Sequence, residues 1–178
     1  MNRFVFVVAL AFTLLEGCKE DEPINPSDSL VAVINHYRQQ HQLPAIPESA
    51  SLNLVAETHV RDLCENYVLN DECNIHSWSD KGNWTPFCYT ADKTNSQYMW
   101  DKPRELTSYK GNGYEIAAYR SDSMSAMSAL ELWENSEPHL DLILNRNTWK
   151  EVTWKAIGGA ILGGYAVVWF GERSDTIK

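Results

Sequence analysis

The chain has 178 residues, a formal net charge of −9 and a pI near 5.0. Its 15 Lys and Arg residues are scattered and form no basic run. This excludes the electrostatic footprint of a nucleic-acid-binding protein, so we expect no nucleic-acid partner. The length suits one domain of ordinary size, which we expect to be a monomer.

The first residues have the pattern of an export signal. Arg3 precedes an apolar run over residues 4–15, which is too short to span a bilayer as a mature helix. Leu15-Glu16-Gly17-Cys18 then resembles the bacterial lipobox, and the acidic residues that follow resemble a tag for the outer face of the outer membrane. We therefore predict a signal peptide over 1–17, lipidation of Cys18, a tether over 18–28 and a domain over 29–178. The protein would be anchored in the membrane and exposed at the cell surface. The alternative is an ordinary signal peptide with a buried or disulfide-bonded Cys18.

The first half of the domain contains two helical patterns. Apolar residues recur at helical spacing over 29–41, and again behind a cap at Ser49 or Ser51 in a helix that should end near Leu69. Residues 70–113 have no sustained periodicity, so they are predicted to form long ordered loops. Loops of this length in a compact domain are usually functional.

The second half mixes strands with short helices. We predict a strand over 114–120, a helix capped within 121–123, a short helix over 136–144, and a hairpin of strands 156–162 and 165–170. Four residues of the capped helix region are expected to face inward: Met124, Met127, Leu130 and Trp133.

Three cysteines remain after Cys18. An exported protein meets an oxidising compartment, so one disulfide and one leftover thiol is the simplest expectation. Nine residues separate Cys64 from Cys73, which is enough for a helix end to fold back. That pair is favoured slightly over Cys73 with Cys88.

Four motifs in chain order resemble the CAP superfamily, which includes cysteine-rich secretory proteins, venom allergens, plant pathogenesis-related proteins and bacterial SCP-like domains. They are Asn74-Ile75-His76-Ser77, Gly113-Tyr114-Glu115-Ile116-Ala117, the segment from Trp133 to His139, and the C-terminal hairpin. The similarity covers roughly residues 29–173. It implies an α/β fold, a three-layer α-β-α sandwich with a short mixed or antiparallel central sheet and an open cleft.

The resemblance also implies a site. Matched motif by motif, the residues that fall in the family's cleft are His76, Glu115 and His139. The family's second cleft glutamate is replaced by Ser136, with Glu134 or Glu137 as imperfect substitutes. Ser136 precedes Glu-Pro at a helix start, which favours an N-cap over a nucleophile.

Two imidazoles and a carboxylate from different segments can bind a divalent cation and leave positions open to water. His76 and His139 are therefore the predicted metal ligands, zinc being the ion considered, and no other cofactor is expected. Glu115 is predicted to be either a general base or an acceptor that orients a histidine. All three residues are candidates for catalysis, whereas His59 is interpreted as a satisfied core histidine.

These features leave three functions open. The leading one is a surface-exposed domain that binds a lipid, peptide or glycan at the cell envelope, with or without a metal. The main alternative is a metal-assisted hydrolase of peptides or cell-wall material, with Glu115 as base. The third is a host-interaction protein whose Trp-rich loops bind while the cleft is vestigial. A shared fold does not choose among them.

Overall fold

A computed structural model describes residues 29–176, so the predicted signal peptide, the tether and Cys18 lie outside the described residues. The described chain forms, in order, α1 (Leu30–Gln40), α2 (Ala50–Asn66), α3 (Ser96–Leu106), β1 (Gly113–Tyr119), α4 (Ala126–Glu134), α5 (Glu137–Ile143), a 3-10 turn (Asn147–Trp149), β2 (Ala156–Leu162) and β3 (Tyr165–Gly171). No helix within it is long and apolar enough to cross a membrane.

The sheet is antiparallel and has the order β1-β3-β2. Strands β2 and β3 form the predicted hairpin around Gly163 and Gly164, and Gly163 adopts a φ of 56° that suits glycine. Across the other pairing, Glu115 of β1 lies opposite Trp169 of β3. Directly opposed residues point to the same face, so these two side chains share one side of the sheet.

Helices cover both faces of the sheet, which gives the three layers. Val167 and Trp169 pack toward α2, whereas Val168 and Phe170, which alternate with them, pack toward α1, α4 and α5. Helix α2 lies very close to β2 at Gly158, which has no Cβ. A Cβ at this position would lie 2.3 Å from the α2 backbone. The expected α-β-α sandwich is confirmed.

The two N-terminal helices agree with the sequence patterns. Ser49 caps α2, and its hydroxyl accepts a hydrogen bond of 3.1 Å from the amide of Leu52. The helix ends at Asn66 rather than near Leu69, and Val68 and Leu69 are exposed. Helical spacing in the sequence therefore extends beyond the helix, and the last apolar residues do not pack in the core.

The cap of α4 was predicted a few residues too early. Ser125 and Ser128 form a reciprocal capping box, so the helix begins at Ala126. This later start changes which residues face inward. Met127 is 65% exposed, against the prediction, and Met124 is buried but precedes the helix.

Helix α3 falls in the region predicted to be loop. Pro103 lies inside this helix and removes a backbone donor, which in a sequence argues against a helix. Asn95 at the N-cap makes no side-chain capping bond, so the cap does not stabilise the helix either. Tertiary packing stabilises the helix instead. A Cβ on Gly113 would lie 2.4 Å from the ring of Pro103, which indicates that α3 lies directly against β1.

The disulfide joins Cys73 to Cys88, with a Cα–Cα distance of 5.0 Å. The favoured pairing of Cys64 with Cys73 is therefore wrong, as is the leftover thiol, because no described cysteine is free. Cys64 belongs to the regular part of α2, whereas Cys73 and Cys88 lie on two backbone segments joined by the Asn74–Tyr89 and Trp78–Phe87 hydrogen bonds. Cys64 is closer to Cys73 in sequence, but the hydrogen bonds between the two loop segments bring Cys88 to Cys73 instead.

Candidate functional site

Glu115 lies at the centre of a buried polar cluster. Strand β1 directs its carboxylate to the α2 face of the sheet, where the side chain has no solvent exposure. Its Oε1 lies 2.5 Å from Nδ1 of His59, and its Oε2 lies 2.7 Å from Nδ1 of His76. Burial alone would raise the pKa of Glu115, but the charge of His59 and the hydrogen bonds from both histidines lower it below its ordinary value. Glu115 is therefore held as a carboxylate.

His76 is presented by the disulfide-bonded loop. Its backbone amide donates a 3.0 Å hydrogen bond to the side chain of Asn74, a local turn that fixes the direction of the loop. The imidazole packs 5.3 Å from the ring of Tyr89, and 17% of the side chain is exposed. Because Nδ1 donates to Glu115, a neutral His76 has its lone pair on Nε2. Nε2 makes no hydrogen bond within the described residues, and it belongs to a partly exposed side chain.

His59 joins the cluster from the inner side of α2. It is fully buried, and both ring nitrogens have partners, since Nε2 lies 3.0 Å from the carbonyl oxygen of Ser77. The interpretation as a satisfied core histidine is confirmed. Its contact with Glu115 was not predicted from the sequence. An ionisable residue among the apolar inward positions of an amphipathic helix was the signal that a buried partner existed.

His139 belongs to α5. Its Nδ1 is buried and has no hydrogen-bond partner among the described residues. Burial lowers the pKa of His139 from 6.5 to about 4, and the charge of nearby His76 lowers it further. The ring is therefore neutral near pH 7, with an unsatisfied polar atom.

The three residues considered at the position of the family's second glutamate are Ser136, Glu134 and Glu137. None of them forms a hydrogen bond or ion pair with Glu115 within the described residues. Ser136 is the N-cap residue of α5, and its carbonyl oxygen accepts from the amide of His139. Glu134 lies beside Tyr37 of α1, where burial first and this carboxylate second raise the pKa of the tyrosine hydroxyl. Glu137 is exposed in the first turn of α5. The buried carboxylate of the cluster is that of Glu115.

Lys102 supports the loop that carries His76. Its side chain is fully buried, and its Nζ donates to the carbonyl oxygen of Thr85 and to Oε2 of Glu105, both at 2.6 Å. The ammonium also lies 5.1 Å from the centre of the Trp78 ring, which stacks on His59 at 4.3 Å. Burial lowers the pKa of Lys102, and the pairing with Glu105 opposes that shift. No pattern along the chain indicated that Lys102 would be buried against the loop.

The donor set for a metal ion is incomplete. Both carboxylate oxygens of Glu115 are used by histidines, which leaves the imidazoles of His76 and His139 as the predicted donors. Within residues 29–176 no group of three or more His, Cys, Asp or Glu side chains is placed to hold an ion. An ion at His76 and His139 would need further ligands from water or from a bound molecule.

The structure thus brings His76 and Glu115 into direct contact and adds His59, while His139 lies near enough for the charge of His76 to affect it. The carboxylate orients His76, and the open Nε2 of His76 can accept a hydrogen bond or a proton. This arrangement suits recognition of a ligand O–H or N–H group, and it has the base-and-orienter geometry that hydrolytic sites use.

One comparison with known proteins shows the family of this chain. The CAP family, the cysteine-rich secretory protein family, matches over residues 31–150, which is more than half of the chain. No curated protein matches the chain significantly.

Three solved structures are similar at low sequence identity. A cysteine-rich secretory protein from Staphylococcus aureus is 18% identical with a TM-score of 0.53, over 84% of this chain and 40% of that one. An outer surface protein from Borrelia burgdorferi is 19% identical with a TM-score of 0.53, over 82% and 90%. An extracellular protein containing an SCP domain from Bacillus anthracis is 17% identical with a TM-score of 0.56, over 86% and 45%. This chain therefore spans less than half the length of the first and third. At such identities the likeness shows the fold alone.

Proposed function

Because this chain belongs to the CAP family of cysteine-rich secretory proteins, we propose that it is an extracellular binding protein whose cleft holds a ligand between His76 and His139. The observation that carries the proposal is the 2.7 Å contact between Nδ1 of His76 and Glu115, which leaves Nε2 open. The orphaned Nδ1 of His139 adds a second unsatisfied polar atom. Buried polar atoms without partners are costly in a folded protein, so a ligand that satisfies them gains affinity.

The ligand class follows from these atoms. A neutral imidazole offers one N–H donor and one lone pair, which match hydroxyl and amide groups. Lipids with a hydroxyl headgroup, peptides and glycans of the cell envelope all offer such groups. The tilted contact of Tyr89 with His76 adds an aromatic wall, which favours a ligand with an apolar side.

The test uses peptides, peptidoglycan fragments and lipid vesicles as probes, with binding measured by calorimetry. The double variant His76→Ala/His139→Ala should lose affinity for the probe that binds. His36→Ala/His41→Ala is the matched control, because both residues are exposed on or after α1. Equal binding by both double variants and the wild type would refute the cleft as the binding site.

Hydrolysis is the second candidate, and one observation favours it. Glu115 contacts His76 as a carboxylate that orients an imidazole base, so Nε2 of His76 could take a proton from water or from a nucleophilic hydroxyl. In this version His76 is the base and Glu115 the orienting residue. Release of peptide or sugar fragments from cell-wall material by the wild type, but not by His76→Gln, would establish it.

We also propose that the protein is exported and lipid-anchored at Cys18, as its first residues predict. The matched proteins from Borrelia burgdorferi and Bacillus anthracis are described as outer-surface and extracellular, which supports a location outside the cell. A tether of about ten residues would keep the domain close to the membrane, since an extended chain spans at most about 3.5 Å per residue.

A further inference from the structure

Both ring nitrogens of His59 face groups that can only accept hydrogen bonds. Nδ1 lies 2.5 Å from Oε1 of Glu115, and Nε2 lies 3.0 Å from the carbonyl oxygen of Ser77. A neutral imidazole has one N–H group and one lone pair, so it can donate to only one of them. A lone pair directed at the other acceptor would be repelled. Turning the ring over would place carbon atoms against both oxygens and lose both bonds.

The surroundings of His59 favour a positive charge on the ring. The indole of Trp78 stacks on it at 4.3 Å with an interplanar angle of 10°, a contact that suits a cation over an aromatic face. The ring and the carboxylate of Glu115 are both fully buried. A buried carboxylate needs a counter-ion close by, and His59 is the nearest cationic group to it.

The other ionisable groups near His59 have partners of their own. Asp62, one turn along α2, accepts hydrogen bonds from Ser79 and Asn66. Lys102 of α3 is paired with Glu105. On the β1 side, Glu115 is the carboxylate that contacts the ring, and its second oxygen is used by His76. Lys102 and Glu105 therefore balance each other, whereas the carboxylate of Asp62 is stabilised by hydrogen bonds from neutral groups.

We propose that His59 is a positioning residue, an imidazolium that donates from both ring nitrogens, serves as the counter-ion of Glu115 and thereby fixes His76 with its proton on Nδ1 and its lone pair on Nε2. The pair of His59 and Glu115 has no net charge, so the cleft is not an anionic site. Glu115 has no free oxygen with which to accept a proton, and it acts by orienting His76. This inference deepens the proposed binding role of His76, but the charge of His59 is measurable without any ligand.

The test is a nitrogen NMR spectrum of the mature protein with ¹⁵N in its histidine rings. A doubly protonated ring has two ring nitrogens at similar shifts, whereas a neutral ring has one nitrogen shifted far downfield. His59 is identified by its contacts with the Trp78 protons. Because both of its nitrogens face acceptors, it should be doubly protonated at pH 7. A His59 ring with one unprotonated nitrogen at pH 7 would overturn the proposal.

Glu115→Gln tests the pairing itself, because glutamine keeps the shape of the side chain and removes its charge. Without the carboxylate, His59 should lose one proton and its spectrum should change to that of a neutral ring. Glu137→Gln, an exposed change in α5, is the matched control and should leave the His59 signals unmoved. Persistence of the doubly protonated ring in Glu115→Gln would show that Glu115 is not its counter-ion. Loss of ligand binding in His76 variants with an intact His59 spectrum concerns the proposed function alone.

Discussion

His76 and Glu115 lie 39 residues apart in sequence, yet Nδ1 of one contacts Oε2 of the other at 2.7 Å. The contact links the disulfide-bonded loop to β1, and Glu115 holds His59 of α2 through its other oxygen. Three separate segments therefore meet at one buried carboxylate. A change at Glu115 should affect the stability of the fold and the orientation of the cleft histidine together.

Glu115→Gln should destabilise the protein, because the buried His59 loses the carboxylate that pairs with it. Breaking one partner of a buried ion pair costs about 3–5 kcal/mol in other proteins. If the protein is a hydrolase, turnover should also fall, by up to about 10⁴, because Glu115 orients the His76 base, while ligand affinity changes less. Urea unfolding and binding assays on the wild type, Glu115→Gln and the exposed control Glu137→Gln measure both effects. A stability equal to that of the wild type would contradict the buried pairing.

Stability should also depend on pH through His139. Its pKa is about 4 in the folded protein against 6.5 for an ordinary histidine, so between these values the unfolded chain binds a proton that the folded chain does not. Stability is therefore complete above about pH 6.5 and falls as the pH is lowered toward 4. The total loss should be at most about 3.5 kcal/mol, since one pKa unit corresponds to about 1.4 kcal/mol.

The check is the free energy of unfolding measured at several pH values for the wild type and for His139→Asn. The variant should have a flatter profile between pH 4 and pH 6.5, whatever its stability at neutral pH. His36→Asn, an exposed change in α1, should keep the slope of the wild type. Parallel profiles for wild type and His139→Asn would refute the assignment. The lowered pKa of Glu115 adds a further loss at more acid pH, as that carboxylate takes up its proton.

The sequence predicted the elements whose stability is local or periodic. Helices α1 and α2 have apolar residues at helical spacing behind serine caps, and the β2-β3 hairpin has two apolar runs around a Gly-Gly turn. Helix α3 was missed because its stability comes from packing, as Pro103 against Gly113 illustrates. No local pattern encodes such a contact.

The residues of the site also fall into those that the sequence predicted and those that depend on long-range contacts. Motif resemblance predicted three members, and the structure brings two of them, His76 and Glu115, into direct contact. The role of His59 depends on a partner 56 residues away, and the partner of Cys73 depends on how the loop folds. These are long-range relationships, which spacing along the chain does not reveal. The assignment of His76 and His139 as metal ligands stays a prediction.

Zinc binding tests that prediction. Calorimetry near neutral pH should detect a site that weakens as the pH falls, because only a neutral imidazole is a ligand. The double variant His76→Ala/His139→Ala should lose the site, and His36→Ala/His41→Ala should retain it. Unchanged zinc affinity in the first double variant would remove both residues from the metal site.

Lipid anchoring is tested at Cys18. Cys18→Ala should release the protein from the membrane fraction or block its maturation, since a stable anchor needs the acyl chains on this residue. Incorporation of labelled palmitate is the measurement, with Ser27→Ala in the tether as the control. Equal labelling of the wild type and Cys18→Ala would rule out this residue as the lipid site, and an ordinary signal peptide would then remain.

Lys102→Met should loosen the loop that carries His76. Methionine keeps most of the length and apolar contacts of the lysine but removes the hydrogen bonds from Nζ to Thr85 and Glu105. Glu105 is 26% exposed at its side chain and can be solvated, so the loss should be moderate, about 1–3 kcal/mol.

The decisive measurement is amide hydrogen exchange, which reports local opening. Exchange should accelerate over residues 77–87 in Lys102→Met, while the amides of α2 change little. Lys81→Met is the matched control, because Lys81 lies in the same loop but is exposed and pairs only with exposed Asp80. Lys102→Arg should restore protection, since a guanidinium can donate to the same two oxygens. If exchange in the loop is the same in Lys102→Met and Lys81→Met, the buried ammonium does not hold the loop, and the disulfide between Cys73 and Cys88 is sufficient to order it.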